Sequence, residues 1–161
     1  MKMIVGSLVL LLTLAGTGIA GSSELNDFLW PGRTANGGGG GDYENGVNAA
    51  RAGDWQLSVS YLRRSVGRDP QDADALTMLA FGNRQLGKYQ LAMRYYRAAL
   101  SINPEHRLAN MRIGEAYLAI NNVAKARQHQ KTLSGLCPAG CAELDALNRA
   151  IAANQIKGPD S

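Results

Sequence analysis

Pro70, Pro104 and Pro138 stand 34 residues apart, and the residues between them recur in the same register. Gly46, Ala80 and Gly114 share that spacing, as do Ser58, Ala92 and Ala126. Gly53, Gly87 and Asn121 fall in step, followed by Trp55, Tyr89 and Val123, then Leu62, Tyr96 and Gln130, then Ser65, Ala99 and Leu133. A period that holds at so many positions without insertion describes one small unit used three times, and it excludes a single irregular globular core. Small residues at two internal positions, a turn glycine between them and a closing proline describe a helix-turn-helix unit. Small side chains let two helices approach closely. Gly53, Gly87 and Asn121 suit a left-handed residue at a helix C-terminus. Each proline lacks an N–H and disfavours helix at the residue before it, so it closes the second helix.

First helices are therefore expected at about Asp42 to Ala52, Ala73 to Leu86 and Arg107 to Ile120. Second helices are expected at about Trp55 to Arg68, Tyr89 to Ser101 and Val123 to Ser134. Asp54, Asp72 and Asn122 precede helix starts as N-caps. After Pro138, Leu144, Leu147 and Ile151 recur at spacings of three and four, which predicts one more amphipathic helix over Ala142 to Asn154. Such a helix covers the apolar face that the last unit of an array would otherwise expose.

The stretch Ala73 to Glu105, ADALTMLAFGNRQLGKYQLAMRYYRAALSINPE, resembles the tetratricopeptide repeat family at Leu76, Leu79, Ala80, Gly87, Tyr89, Ala92, Tyr96, Ala99 and Pro104. The first unit, Gly39 to Asp72, departs from that pattern at Asp42 and Asn45, and the third departs at Asn121, Val123 and Gln130. The resemblance covers roughly Asp42 to Cys141. It implies an all-α fold, a right-handed α-solenoid of three helical hairpins with a C-terminal capping helix. It also implies a concave groove lined by the first helices, here Tyr43, Val47, Ala50, Arg51, Thr77, Phe81, Arg84, Met111, Arg112, Glu115 and Leu118. Arginines in such a groove suit carboxylates. Family members that bind chaperone tails use a Lys, Asn, Asn, Lys, Arg clamp. The matching positions here are Tyr43, Val47, Met78, Leu108 and Arg112, of which only the last agrees, so that ligand class is rejected.

The N-terminus carries Lys2, an apolar run from Met3 to Leu14, and then Thr17, Gly18, Ile19 and Ala20. This is the layout of a secretory signal peptide cut after Ala20, over residues 1–20. An uncleaved anchor is the alternative, but the apolar part is short of the ~20 residues that span a bilayer. Residues 21–41 read as a flexible Gly-rich segment. Gly32 to Gly41 forms a tether with a span on the order of 17 Å, preceded by Phe28, Leu29 and Trp30. That trio is either a linear motif that docks a partner or the array's own groove, or part of a disordered arm. Residues 42–155 form the repeat domain with its cap, and 156–161 form a disordered tail. Export predicts a periplasmic or secreted location. There two nearby cysteines usually pair, so Cys137 and Cys141 are expected as a structural disulfide worth about 2 kcal/mol by loop entropy. A redox-active pair, or a metal site using His129, are the competing readings.

The formal charge of +4 becomes +3 once the leader removes Lys2, and the basic residues look scattered over many turns. A nucleic-acid reader would show a denser patch, so nucleic acid is not expected as a partner. Membrane contact is expected to be peripheral at most. His106 at a helix start and His129 on a solvated face have no nucleophile or metal cluster around them. Gly37 to Gly41 lacks the Lys and Ser or Thr of a phosphate loop. Neither an enzyme, nor a cofactor, nor a bound metal is expected. The sequence points instead to a protein-interaction scaffold in the cell envelope, holding a partner segment in its groove and aiding assembly of a secretion or pilus complex. The competing reading is a self-associating structural protein that joins copies through repeat surfaces or the N-terminal arm.

Overall fold

Seven helices, α1 Gly40–Arg51, α2 Trp55–Arg68, α3 Ala73–Gln85, α4 Tyr89–Ile102, α5 Arg107–Ala119, α6 Val123–Leu136 and α7 Ala142–Ile156, succeed one another in the computed structural model. The model describes residues 40–156, and among them there is no strand. The expected signal peptide, the Phe28, Leu29 and Trp30 cluster, the Gly-rich tether up to Gly39 and residues 157–161 lie outside the described residues, whereas Gly40 and Gly41, expected in the tether, open α1 instead. No helix among the described residues is long and apolar enough to cross a membrane.

The punctuation of the helices repeats with the sequence. Gly53, Gly87 and Asn121 all adopt positive φ, at 78°, 73° and 57°, which is what lets the chain reverse within the three residues between paired helices. Asp54, Asp72 and Asn122 accept hydrogen bonds from the backbone N–H of Leu57, Ala75 and Lys125 at 2.9, 2.9 and 3.1 Å. Asp69, Asn103 and Cys137, each just ahead of a proline, close the second helices by donating their N–H to the carbonyls of Ser65, Ala99 and Leu133. Ser58, Ala92 and Ala126 are fully buried where paired helices touch. At Gly46 an added Cβ would sit 2.6 Å from Cγ of Leu62, and at Gly114 2.8 Å from both methyls of Leu147.

Each first helix packs on its own second helix and on the next first helix, while the second helices meet first helices instead of one another. Helices that touch lie on the inside of a bend, so α1, α3, α5 and α7 form the inner layer and α2, α4 and α6 the outer one. α7 packs on α5 and α6 as each first helix packs on the preceding pair. It also starts about one period after α5, so the cap is the first helix of an unfinished fourth unit. Cys137 and Cys141, with Cα atoms 5.8 Å apart, are joined by a disulfide at the entrance to α7.

His106 stands at a helix start as expected, whereas His129 differs from the solvated residue expected of it. Nδ1 of His106 caps α5 by accepting from the N–H of Ala109 at 3.3 Å, which leaves its Nε2–H to donate to Asp74 at 2.9 Å. His129 stacks on Tyr117 with ring centroids 5.8 Å apart and donates from Nδ1 to the side-chain oxygen of Asn110 at 2.9 Å. Asn110 in turn donates to the carbonyls of Pro104 and His106. Asp42, out of pattern in the first unit, is nearly buried and bonds Nε and Nη2 of Arg64 at 3.2 and 3.0 Å, with Arg68 on its other oxygen. It ties the first turn of α1 to α2, and Arg64 holds its carboxyl below the usual range.

Candidate functional site

A cleft of 480 Å³ opens on the inner layer where α3, α5 and α7 meet, lined by Phe81, Arg84, Gln85, Arg112, Glu115, Leu118, Ala119, Ala150, Ala153 and Asn154. The repeat register puts Gln85, Ala119 and Ala153 at equivalent positions of three successive first helices, so one face of each helix supplies the lining. The alanines of α5 and α7 are what leave room. Larger side chains there would close the space against Leu118.

One end of the cleft is charged and rigid. The guanidinium of Arg112 lies 4.1 Å from the centroid of the Phe81 ring, and that of Arg84 lies 5.4 Å from it. Trp55 meets the same ring edge-on at 5.5 Å. The two arginines share one carboxylate oxygen of Glu115, Arg112 at 3.4 Å and Arg84 at 3.5 Å. Arg112 is only 5% exposed. Burial lowers the pKa of its guanidinium, and Glu115 opposes that shift. The phenol of Tyr96, on α4, is pushed up chiefly by burial, with Arg84 and Arg112 acting against the rise. Both guanidinium groups are thus held against one aromatic face with Glu115 between them, which restricts their rotamers.

Of the residues expected to line a groove, Phe81, Arg84, Arg112, Glu115 and Leu118 come together here. Tyr43, Val47, Ala50, Thr77 and Met111 do not, because all five are buried. Tyr43 and Val47 pack with Val59, Leu62 and Leu79, and Met111 packs with Leu133 and Leu147. The hydroxyl of Thr77 donates to its own helix at the carbonyl of Ala73. An inner helix turns one side to its own second helix and another to a neighbouring first helix, and for α1 these are α2 and α3. Arg51 is exposed on α1 and bonds Asn48 at 3.2 Å. Phe81, 6% exposed, serves as the platform for the arginines more than as a contact surface. The α7 wall, Ala150, Ala153 and Asn154, was absent from the expectation. Extending the 34-residue period by one more half-unit would have found it. Among the described residues no three His, Cys, Asp or Glu side chains gather as a metal site would require.

The profile of the tetratricopeptide repeat matches residues 84–135, from the end of α3 to the last turn of α6. Residues 84–135 thus read as tetratricopeptide repeat, and the fold around them is a tetratricopeptide-type solenoid. Solved tetratricopeptide-repeat domains share the whole arrangement. The TPR2B domain of yeast Sti1, in a structure described as a complex with pHsp70, superposes with a TM-score of 0.66 at 16% identity, covering 73% of this chain and 95% of that one. The first such domain of human RPAP3 gives 0.61 at 20% identity, over 73% and 95%. The Yersinia enterocolitica type III secretion translocator chaperone SycD gives 0.63 at 17%, over 72% and 90%. At these identities the likeness establishes the fold. No curated protein sequence gives a significant match.

Proposed function

We propose that this repeat array is a non-enzymatic adaptor that grips a partner protein through the cleft between α3, α5 and α7. The observation that carries the reading is the pair Arg84 and Arg112, stacked on Phe81 and bridged by Glu115, beside a wall of alanine and leucine. That combination fits a segment offering an aliphatic side chain next to a carboxylate. The apolar wall takes the first, and the guanidinium groups take the second by charge-assisted hydrogen bonding. Structural neighbours with this fold hold peptides, such as RPAP3 with the HSP90 peptide SRMEEVD. The chaperone-tail clamp itself has no counterpart here, since Tyr43, Val47, Met78 and Leu108 are buried apolar side chains at its positions. We place the adaptor in the cell envelope on the leader-like N-terminus, serving assembly of a secretion or pilus complex.

The test is a photo-reactive residue at Ala119 or Ala153, both exposed on the cleft rim, followed by mass spectrometry of adducts from the producing cell. A discrete foreign protein, lost when Arg84→Ala is added, supports the adaptor. An adduct only to a second copy of the chain replaces it with self-association, and no adduct at either position overturns the cleft as the working surface.

A further inference from the structure

The outer layer carries a charge pattern that the cleft does not use. The sequences of α2, α4 and α6 contain Arg and Lys but not one Asp or Glu, so among the described residues acidic side chains are confined to the inner helices and the connections. Three of these bases, Arg63, Arg97 and Lys131, occupy the same repeat position 34 residues apart and are exposed. They form a row with one cation per outer helix. Arg94 and Arg127 flank it, and among the described residues no carboxylate lies within ion-pair range of the row. Arg97 is steadied by its own helix, donating from Nε to the carbonyl of Met93 at 3.1 Å. The outer helices thus hold eight of the bases that look scattered along the chain, while Arg84 and Arg112 face the cleft.

The large apolar side chains left in water lie along the edge that borders this layer. Leu57, Tyr89 and Ile120 are 45%, 45% and 52% exposed, and each stands within four residues of the turn at Gly53, Gly87 or Asn121. Leu57 precedes Arg63 by six residues, about 9 Å along α2 and roughly a third of a turn around its exposed side. An array thus presents unopposed cations with an apolar fringe at one edge.

We propose that this outer face docks on the surface of an anionic lipid bilayer. The face is convex, because first helices touch one another and second helices do not, so it cannot enclose a peptide. Lipid headgroups diffuse laterally and can gather under cations whose spacing is fixed by the repeat. Aliphatic Leu57 and Ile120 gain nothing from a phosphodiester backbone but bury at the headgroup and acyl boundary, as interfacial proteins do. Docking by this face leaves the cleft, on the opposite layer, open to a partner.

The experiment is co-sedimentation of the full chain with phosphatidylcholine vesicles and with vesicles containing about one-third phosphatidylglycerol. The ratio of the two affinities cancels any charge-independent contribution from the rest of the chain. Each cation near an anionic surface contributes about fivefold, so the variant Arg63→Gln, Arg97→Gln, Lys131→Gln should lose roughly 100-fold of the preference for anionic vesicles. Arg63→Lys with Arg97→Lys should keep it, and added salt should erase it. The three positions are exposed, and an unchanged helical circular dichroism spectrum verifies that the variant is folded. Equal binding to both vesicles, or a triple variant that retains the preference, would overturn the proposal. So would binding to a duplex DNA oligomer without binding to anionic vesicles, which would give the row to a nucleic acid.

Discussion

At the scale of single residues, the close approach of paired helices rests on missing Cβ atoms. Gly46 faces Leu62 across α1 and α2, with the backbone N of Leu62 only 3.3 Å from where a Cβ would stand. Gly46→Ala must push α1 away from α2, at a cost of about 1–3 kcal/mol in urea or thermal denaturation. Ala80, at the same position of the second unit, shows that the unit tolerates a methyl where its surroundings are built for one. The Gly or Ala preference was legible in the sequence, but the cost at each position was not, since it depends on which side chain arrives opposite. Titration offers a second residue-scale test. The imidazole of His129 is held below its ordinary 6.5, by burial first and by Lys125 second. In the window below that value the unfolded chain binds a proton that the folded chain resists. Stability is therefore full above roughly pH 7 and falls as pH drops through 6.5. His129→Gln should flatten the denaturation midpoint between about pH 7 and pH 5. The carboxyl of Asp42, held below 3.8 mainly by Arg64, contributes stability present above that ordinary value and lost as pH falls through its folded one. The decline below about pH 4 should thus survive in the His129 variant.

At the scale of helices, the repeat exposes its own weak link. The N-cap position of the second helices is occupied by Asp54, Lys88 and Asn122, and only Lys88 makes no side-chain cap hydrogen bond. Lys88→Asn should supply the missing acceptor and raise stability by about 1 kcal/mol, read as a higher midpoint in thermal denaturation. Helix identities and ends were legible to within two residues because turn, cap and proline signals recur and reinforce one another. The roles of His106 and His129 were not, because capping and stacking depend on Asp74, Asn110 and Tyr117, which lie 32, 19 and 12 residues away. Asp42 was visible only as a departure from the family pattern. Its purpose becomes evident when Arg64 and Arg68, one helix on, are seen to meet it.

At the scale of the whole molecule, the array is held together by neighbours alone, and α7 is the end with fewest of them. The Cys137–Cys141 bridge anchors its start. Replacing both cysteines by serine should cost up to about 2 kcal/mol. Hydrogen exchange should quicken in α7 and the adjoining part of α5 while α1 to α3 keep their protection. The solenoid itself was legible from the 34-residue period, because stacking repeats is the way such units bury their apolar faces. The cleft was legible by half. Inner-layer helices were identified, but which of their residues face a partner depends on curvature, which buried Tyr43, Val47, Thr77 and Met111 and brought in the alanines of α7. The row Arg63, Arg97 and Lys131 lay in plain register and was missed because charge was read along the chain instead of across it. Nearest-neighbour packing also has a consequence in time. Helices that touch are adjacent or next but one along the chain, so no part of the fold must wait for a distant segment, and low contact order favours fast folding. Each hairpin can therefore settle before its neighbour has formed, and the disulfide then fixes where the last helix sets out from the third hairpin.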